Sequence, residues 1–233
     1  MYKRAIILAG GRGTRLKPYT LSMPKPLVPL DNKPILEIII LQLKKYGFEH
    51  ITITLNHMGE SIKEYFGNGK KINIKIDYTF EKKPLSTMGP LTLIKDLPDN
   101  FLVMNGDILT DLNFDSFFLY HKNNNNNFSI ASYIRTQKVD YGVLESNDDN
   151  RLVNFKEKPK NDYLVSMGIY MLNKKVINLI PENTFFGFDD LMHLLVKNKN
   201  FPFLYNYDGY WLDIGRPSDY EKAIIEYKKL TFI

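Results

Sequence analysis

"AIILAGGRGTRLKPYT", Ala5 to Thr20, runs from an apolar stretch straight into a loop with three glycines and two arginines. Glycine has no Cβ, so its backbone N–H groups approach a ligand closely, and arginine presents a fixed fork of donors suited to phosphate. The apolar run reads as a buried strand and the loop as its exit. In an open α/β sheet, ligands gather at that carboxyl end. Outward from this point, "KPILEIIILQLKKYG" (33–47) places apolar residues at helical spacing and ends on Gly47, a helix stop. "HITITLN" (50–56), "INIKIDYTF" (72–80) and "FLVMNGD" (101–107) read as strands, with "GESIKEYFG" (59–67) and "GPLTLIKDLP" (89–98) as helices between them. Strands alternating with helices imply a parallel sheet covered on both faces.

The second half is more mixed. "FDSFFLYHK" (114–122), "KKVINLI" (174–180), "FDDLMHLLVKN" (188–198) and "SDYEKAIIEYKKL" (218–230) read as helices. "FSIASYIR" (128–135), "DYGVLES" (140–146), "LVNFKEK" (152–158) and "SMGIYMLN" (166–173) read as strands. Neither a linker nor an internal repeat divides the chain, so a single domain over residues 1–233 is expected. The expected class is α/β, a Rossmann-like mixed but mainly parallel sheet flanked by helices.

Composition excludes several classes. Hydrophobic residues at 44% and charged ones at 24% are ordinary for a soluble globular chain. No window is apolar enough for a membrane span, and the amino terminus lacks a signal-peptide pattern. With no cysteine, disulfides, thiol nucleophiles and cysteine-ligated zinc are excluded, which fits the cytoplasm. His50, His57, His121 and His193 show no metal-ligand spacing and read as surface or cap residues. The net charge of +5 would suit an anionic partner, but the lysines are dispersed and interleaved with acids, which argues against nucleic acid.

The glycine loop matches neither common nucleotide motif. The lysine–serine or lysine–threonine pair of a P-loop is absent, and Leu16 stands where a dinucleotide fingerprint needs its third glycine. Arg12, Arg15, Lys17 and Lys25 nevertheless surround it with cations suited to a triphosphate. In "MPKPLVPLDNKPIL" (23–36) prolines hold the segment stiff, so Lys25, between Pro24 and Pro26, is aimed. Asp107 closes its strand, and "ILTDLNF" (108–114) after it lacks a clean returning strand. An acid there could hold Mg²⁺, which takes few carboxylates and keeps phosphate oxygens as partners. Asp213, between Leu212 and Ile214, is expected to be partly buried and so to need a cation. Glu157 and Lys158 read from composition alone as a solvated charge run.

Together, "LAGGRGTRLKPYTLSMPKPLVPLDNKPIL", "NGD", "YGV", "EKP", "SMGIY" and "YWLDIGRPSDY", in that order, resemble the sugar-1-phosphate nucleotidyltransferases over nearly the whole chain. The likeness is greatest to mannose-1-phosphate guanylyltransferases and bacterial heptose and glucosamine-1-phosphate enzymes. The resemblance implies a nucleoside triphosphate and a sugar 1-phosphate as substrates, Mg²⁺ as cofactor, and no nucleic acid. It leaves room for a homodimer. Leu8, Ala9, Gly10, Gly11, Gly13 and Thr14 would wrap the nucleotide, with Arg15 on its triphosphate and Thr87 and Gly89 facing the base. Lys25 would meet phosphates at the reaction centre, Asp107 and Asp213 would be the metal ligands, and Asn105, Gly142, Glu157 and Lys158 would hold the sugar phosphate.

One stretch departs from pattern. Guanylyltransferases of this kind usually read L-G-T-A-G-P-L, whereas this chain reads Leu85-Ser86-Thr87-Met88-Gly89-Pro90-Leu91, adding bulk where backbone should hug the ligand. GTP is the expected nucleotide. Cytidylyl, uridylyl or thymidylyl transfer, to a sugar or to a non-sugar phosphate such as phosphocholine, is the alternative, as is a regulatory subunit that binds nucleotide-sugar without turnover. The hexapeptide β-helix carried by longer relatives is not expected.

Overall fold

A computed structural model describes residues 2–227; the end of the last expected helix, 228–230, lies outside them. The strands are β1 (Arg4–Leu8), β2 (Pro29–Leu30), β3 (Lys33–Pro34), β4 (His50–Leu55), β5 (Lys75–Phe80), β6 (Asn100–Asn105), β7 (Ile108–Thr110), β8 (Phe128–Lys138), β9 (Val143–Ser146), β10 (Leu152–Lys156), β11 (Lys160–Asn173), β12 (Phe203–Tyr207) and β13 (Trp211–Asp213). The α-helices are α1 (Ile35–Lys45), α2 (Gly59–Phe66), α3 (Phe114–Asn123), α4 (Phe188–Lys197) and α5 (Pro217–Tyr227). None is long and apolar enough to cross a membrane.

Seven strands form the central sheet in the order β12-β8-β11-β6-β1-β4-β5. β1 lies parallel to β4 and β6, β4 to β5 and β8 to β12, while β11 runs antiparallel between β6 and β8. The continuous apolar runs follow from burial on both faces. In β1, Ala5 and Ile7 join one core layer and Ile6 the other. β6 divides likewise, with Leu102 and Met104 on one side and Phe101 and Val103 on the opposite side. The first layer is covered by α1, α2, α3 and α5 through residues such as Ile39, Ile62, Phe117 and Ala223. The second is covered by α4 through Leu191 and Leu195. Each leucine, isoleucine or phenylalanine among them contributes about 1.5–3 kcal/mol by leaving water.

Several expectations need correction. Residues 89–98 make only a 3-10 turn, Gly89–Leu93, and Lys174–Leu179 is 3-10 as well. The fifth strand begins at Lys75, after a separate turn at Lys70–Ile72. The segment after Asp107 does form a strand, β7, which pairs antiparallel with β13 instead of folding back on β6. Among the described residues, β9 and β10 pair only with each other, outside the central sheet. His50 and His121 are buried, not surface or cap residues. His50 contacts Tyr2 and Asp77 at 2.5 Å each.

The His121 ring lies between Ser129 Oγ (2.9 Å) and Asn100 Oδ1 (3.1 Å), and burial lowers its pKa to about 4. An unfolded histidine titrates near 6.5, so between those values the unfolded chain takes up the proton first and stability falls as pH falls. His121 should account for a loss of up to about 3 kcal/mol from pH 6.5 to 4. Urea midpoints at pH 7 and 4.5 check this. The drop should shrink in His121→Gln, and an equal drop would show that the proton goes elsewhere.

Candidate functional site

The glycine loop leaves β1 with Ala9 N–H donating to Thr54 O (3.0 Å) and then turns at Gly13. Gly13 has φ +61, a conformation costly for any residue with a Cβ, and a Cβ there would meet Thr20 Cγ2 at 3.0 Å and Lys25 Cβ at 3.1 Å. The bare residue lets the loop close on Lys25. A 3-10 turn over Lys25–Leu27, entered through an extended Pro24, aims the Lys25 ammonium at Asp107 Oδ2, with which it forms an ion pair.

Asp107 leaves β6 immediately beside β1, because Gly106 N–H donates to Leu8 O (3.0 Å). Ile214 N–H donates to Asp107 O (3.0 Å), and Asp213 sits opposite Ile108 in the β7–β13 ladder. Two acids far apart in sequence thus become neighbours. Leu212 and Ile214 are buried as expected, but Asp213 itself is open to solvent, since strand alternation turns its side chain to the other face. Desolvation by surrounding protein, then Asp107, raise the Asp213 carboxyl above the ordinary aspartate value, against Lys25 and Arg15, which lower it.

Asp107 Oδ1 is buried and has no hydrogen-bond partner among the described residues. An unmatched anionic oxygen beside a second carboxylate fits a hard cation. Among the described residues, three or more His, Cys, Asp or Glu never come together in a way that could hold a metal. A closed protein cage is therefore not what these residues offer. A pair of acids leaving room for substrate phosphates suits Mg²⁺.

From Asp107 a cavity of about 400 Å³ extends across the carboxyl ends of β6, β1, β4 and β5. Leu8, Ala9, Gly10, Gly11, Arg15, Lys25, Thr87, Asn105 and Asp107, all candidates from sequence, line it. Gly13 and Thr14, also candidates from sequence, are not among the lining residues. Arg15 Nη1 and Asp213 Oδ1 each lie 3.8 Å from the position a Cβ on Gly215 would take, so both face the same ground. A larger hollow of about 880 Å³, between α2 and β5, contains none of the candidate residues. Chemistry rather than volume identifies the site.

At the far end of the cavity only Thr87 was named as a site residue from sequence; the rest of that end was not. It is formed by Thr54, Asn56, Glu81, Pro84, Ser86 and Phe185. Asn56 and Glu81 each follow directly on a strand, β4 and β5, so the strand-end rule that found Asp107 could have found them. Glu81 Oε2 accepts from Leu85 N–H (2.9 Å), and Oε1 lies 2.8 Å from where a Cβ on Gly10 would stand. Burial raises its carboxyl above the ordinary glutamate value, opposed by hydrogen bonds from Leu85 and Asn56.

The departing stretch adds no bulk through Met88, which is fully buried in the second core layer. Ser86 has φ +65, where glycine would be unstrained. Gly89 lies behind the cavity wall, where a Cβ would come within 2.6 Å of Thr184 O. The remaining candidates form a separate group on the β9–β10 hairpin. A Cβ on Gly142 would lie 3.4 Å from Glu157 Oε2, and the exposed Glu157 and Lys158 are 3.8 Å apart.

Comparison with known proteins places this geometry in a family. The model for nucleotidyl transferases matches residues 4–229. A UTP–glucose-1-phosphate uridylyltransferase from Synechocystis is 33% identical over 95% of the chain and 62% of its own length. The mannose-1-phosphate guanylyltransferase catalytic subunit beta of Drosophila pseudoobscura is 33% identical over 93% of the chain and 60% of its own. The chain thus spans about three fifths of the length of these curated relatives. Among solved structures, HddC from Yersinia pseudotuberculosis superposes with a TM-score of 0.75 at 28% identity, covering 97% of this chain and 100% of that one. The fold is shared with HddC, and the chain belongs to the nucleotidyl transferase family.

Proposed function

We propose that the protein joins a sugar 1-phosphate to a nucleoside monophosphate drawn from a nucleoside triphosphate, releasing pyrophosphate, with GTP as the nucleotide. The observation that carries the reaction class is Asp107 beside Asp213, with one buried oxygen unmatched and Lys25 and Arg15 on the same ground. A non-catalytic subunit would have no use for that arrangement. A sugar-phosphate oxygen attacks the α-phosphorus, the new P–O bond forms, and the bond to the β-phosphate breaks. No covalent intermediate with the protein is needed. Lys25 and Arg15 neutralise the phosphates, and backbone N–H groups of residues 10–13 hold them in line. Bound Mg²⁺, held by Asp107 and Asp213, would supply further charge neutralisation. Glu157 and Lys158, with Gly142 beside them, take the sugar phosphate from the hairpin side, and Asn105 from the cavity floor.

Glu81 supports guanine. Adjacent strands lie about 4.8 Å apart, so β5 is some 14 Å from β6. A nucleotide with its phosphates at Asp107 would therefore extend its base toward Glu81. A carboxylate only accepts hydrogen bonds. Guanine alone among the common bases offers two adjacent donors, N1–H and the 2-amino group, whereas uracil and thymine offer one N–H between carbonyls that a carboxylate repels. The same HddC was also solved with GMP-PN, which accords with this reading, while the Synechocystis relative keeps UTP as the rival. The sugar stays at the level of mannose-, heptose- or glucosamine-type 1-phosphates.

Pyrophosphate release with Mg²⁺ across GTP, UTP, CTP, dTTP and ATP, each against a panel of sugar 1-phosphates, tests both halves. Asp107→Asn and Asp213→Asn should each lower turnover about 10²-fold or more with the circular dichroism unchanged. Normal turnover in both variants would remove the metal assignment. Glu81→Gln should reduce the preference for GTP over UTP roughly 10- to 100-fold, the worth of a hydrogen bond to a charged group. An unchanged ratio would move base recognition elsewhere.

A further inference from the structure

Phe185 is 66% exposed, although phenylalanine is among the side chains that gain most from burial. Single exposed aromatics are common and need no explanation by themselves. Phe185 differs in its position and support, because it stands on the wall of the cavity at the end formed by Glu81, Asn56, Ser86 and Thr87.

Its loop is fastened to that wall. Phe186 N–H donates to Leu85 O (3.1 Å), and Met88 and Gly89 N–H groups both donate to Phe186 O (3.0 Å each). Phe188 N–H donates to Thr87 Oγ1 (2.8 Å). Gly89 has room for no side chain because Thr184 O presses on it. The next aromatics along the chain turn inward: Phe186 packs on the second core layer, and Phe188 stacks on Tyr170 with ring centroids 4.7 Å apart at 20°. Phe185 alone of the three faces out, from a backbone held on both sides.

We propose that Phe185 is the stacking face for the nucleobase. The inference rests on the reading that this end of the cavity takes the base of a nucleoside triphosphate. A rigidly supported aromatic ring at the rim offers its π-face to a planar heterocycle with little ordering cost. The division of labour follows from chemistry. A carboxylate distinguishes bases by their donors, whereas a ring stacks on any of them and best on the larger purines. Phe185 therefore sets nucleotide affinity, and Glu81 sets which nucleotide is preferred.

Calorimetric titration of wild type, Phe185→Ala and Phe185→Tyr with GTP and, separately, with pyrophosphate, at one fixed Mg²⁺ concentration, tests this. Phe185→Ala should weaken GTP binding roughly 5- to 150-fold, the effect of removing one base–aromatic stack. Its affinity for pyrophosphate should be unchanged, and Phe185→Tyr, which keeps the ring, should bind GTP like wild type. GTP affinity unaltered in Phe185→Ala would overturn the proposal. So would a parallel loss of GTP and pyrophosphate, which would mark a structural role for the loop. If wild type binds another nucleoside triphosphate in place of GTP, the guanine reading fails and the same variants titrated with that nucleotide decide Phe185. If wild type binds none, both fall.

Discussion

Two carboxylates held side by side are the constraint from which the site follows. The β7–β13 ladder and the Ile214–Asp107 backbone bond bring Asp107 and Asp213 together, and desolvation by surrounding protein, then the Asp107 charge, raise the Asp213 carboxyl. The protein answers one charge with Lys25 and leaves Oδ1 of Asp107 without a partner. Lys25 reaches that position only because prolines aim its turn and Gly13 yields space for the loop beside it. Without Lys25, the Asp107 carboxylate would lose its ion-pair partner. An anionic oxygen left unmatched in this way is what the proposed reading, a cation and phosphates taken together, would use.

The central strands and the chemical residues were legible in sequence because their signals are local. An apolar run ending in glycines, an acid at a strand end and a lysine between prolines each carry their meaning within a few residues. What was illegible depends on distant pairing. β13 and β7 have three residues each, too few for a period to show, and only their mutual ladder makes them strands. β11 reads as a strand, but nothing in its residues says that it runs antiparallel between β6 and β8. Buried His121 was missed for the same reason, since its partners Ser129 and Asn100 come from other elements. Residues 89–98 show the opposite failure, in which a helical pattern is cut short. Pro90 suits a first turn, but the chain turns extended at Ile94 after one 3-10 segment.

The stretch Leu85–Leu91 shows how substitution and position interact. Read as a string, Ser86 and Met88 both add bulk to a ligand-hugging loop. In the fold they lie on opposite sides of it: Met88 fills the core beneath, and Ser86 keeps the left-handed backbone that glycine would adopt freely. The conformation persists against the preference of its residue, which happens only where the surroundings over-determine it. Here the surroundings are the strap through Phe186 and Phe188, bonded to Leu85, Thr87, Met88 and Gly89. The strap holds the wall in shape while the side chains on it change.

That separation bears on why overall similarity does not name the nucleotide. A uridylyltransferase and a guanylyltransferase match this chain at the same 33% identity. The groups suited to phosphate and metal chemistry lie at the ends of β1 and β6 and on β13, where they would serve the same reaction whatever the base. The groups that meet the far end of the cavity lie after β4 and β5 and on the strap, few in number and free to vary without touching the paired acids. Identity summed over the chain is dominated by the core and the shared chemistry, so it is blind to this difference. On the reading proposed above, one carboxylate, Glu81, presented at a strand end beside Gly10, would separate one nucleotide from another where overall identity does not.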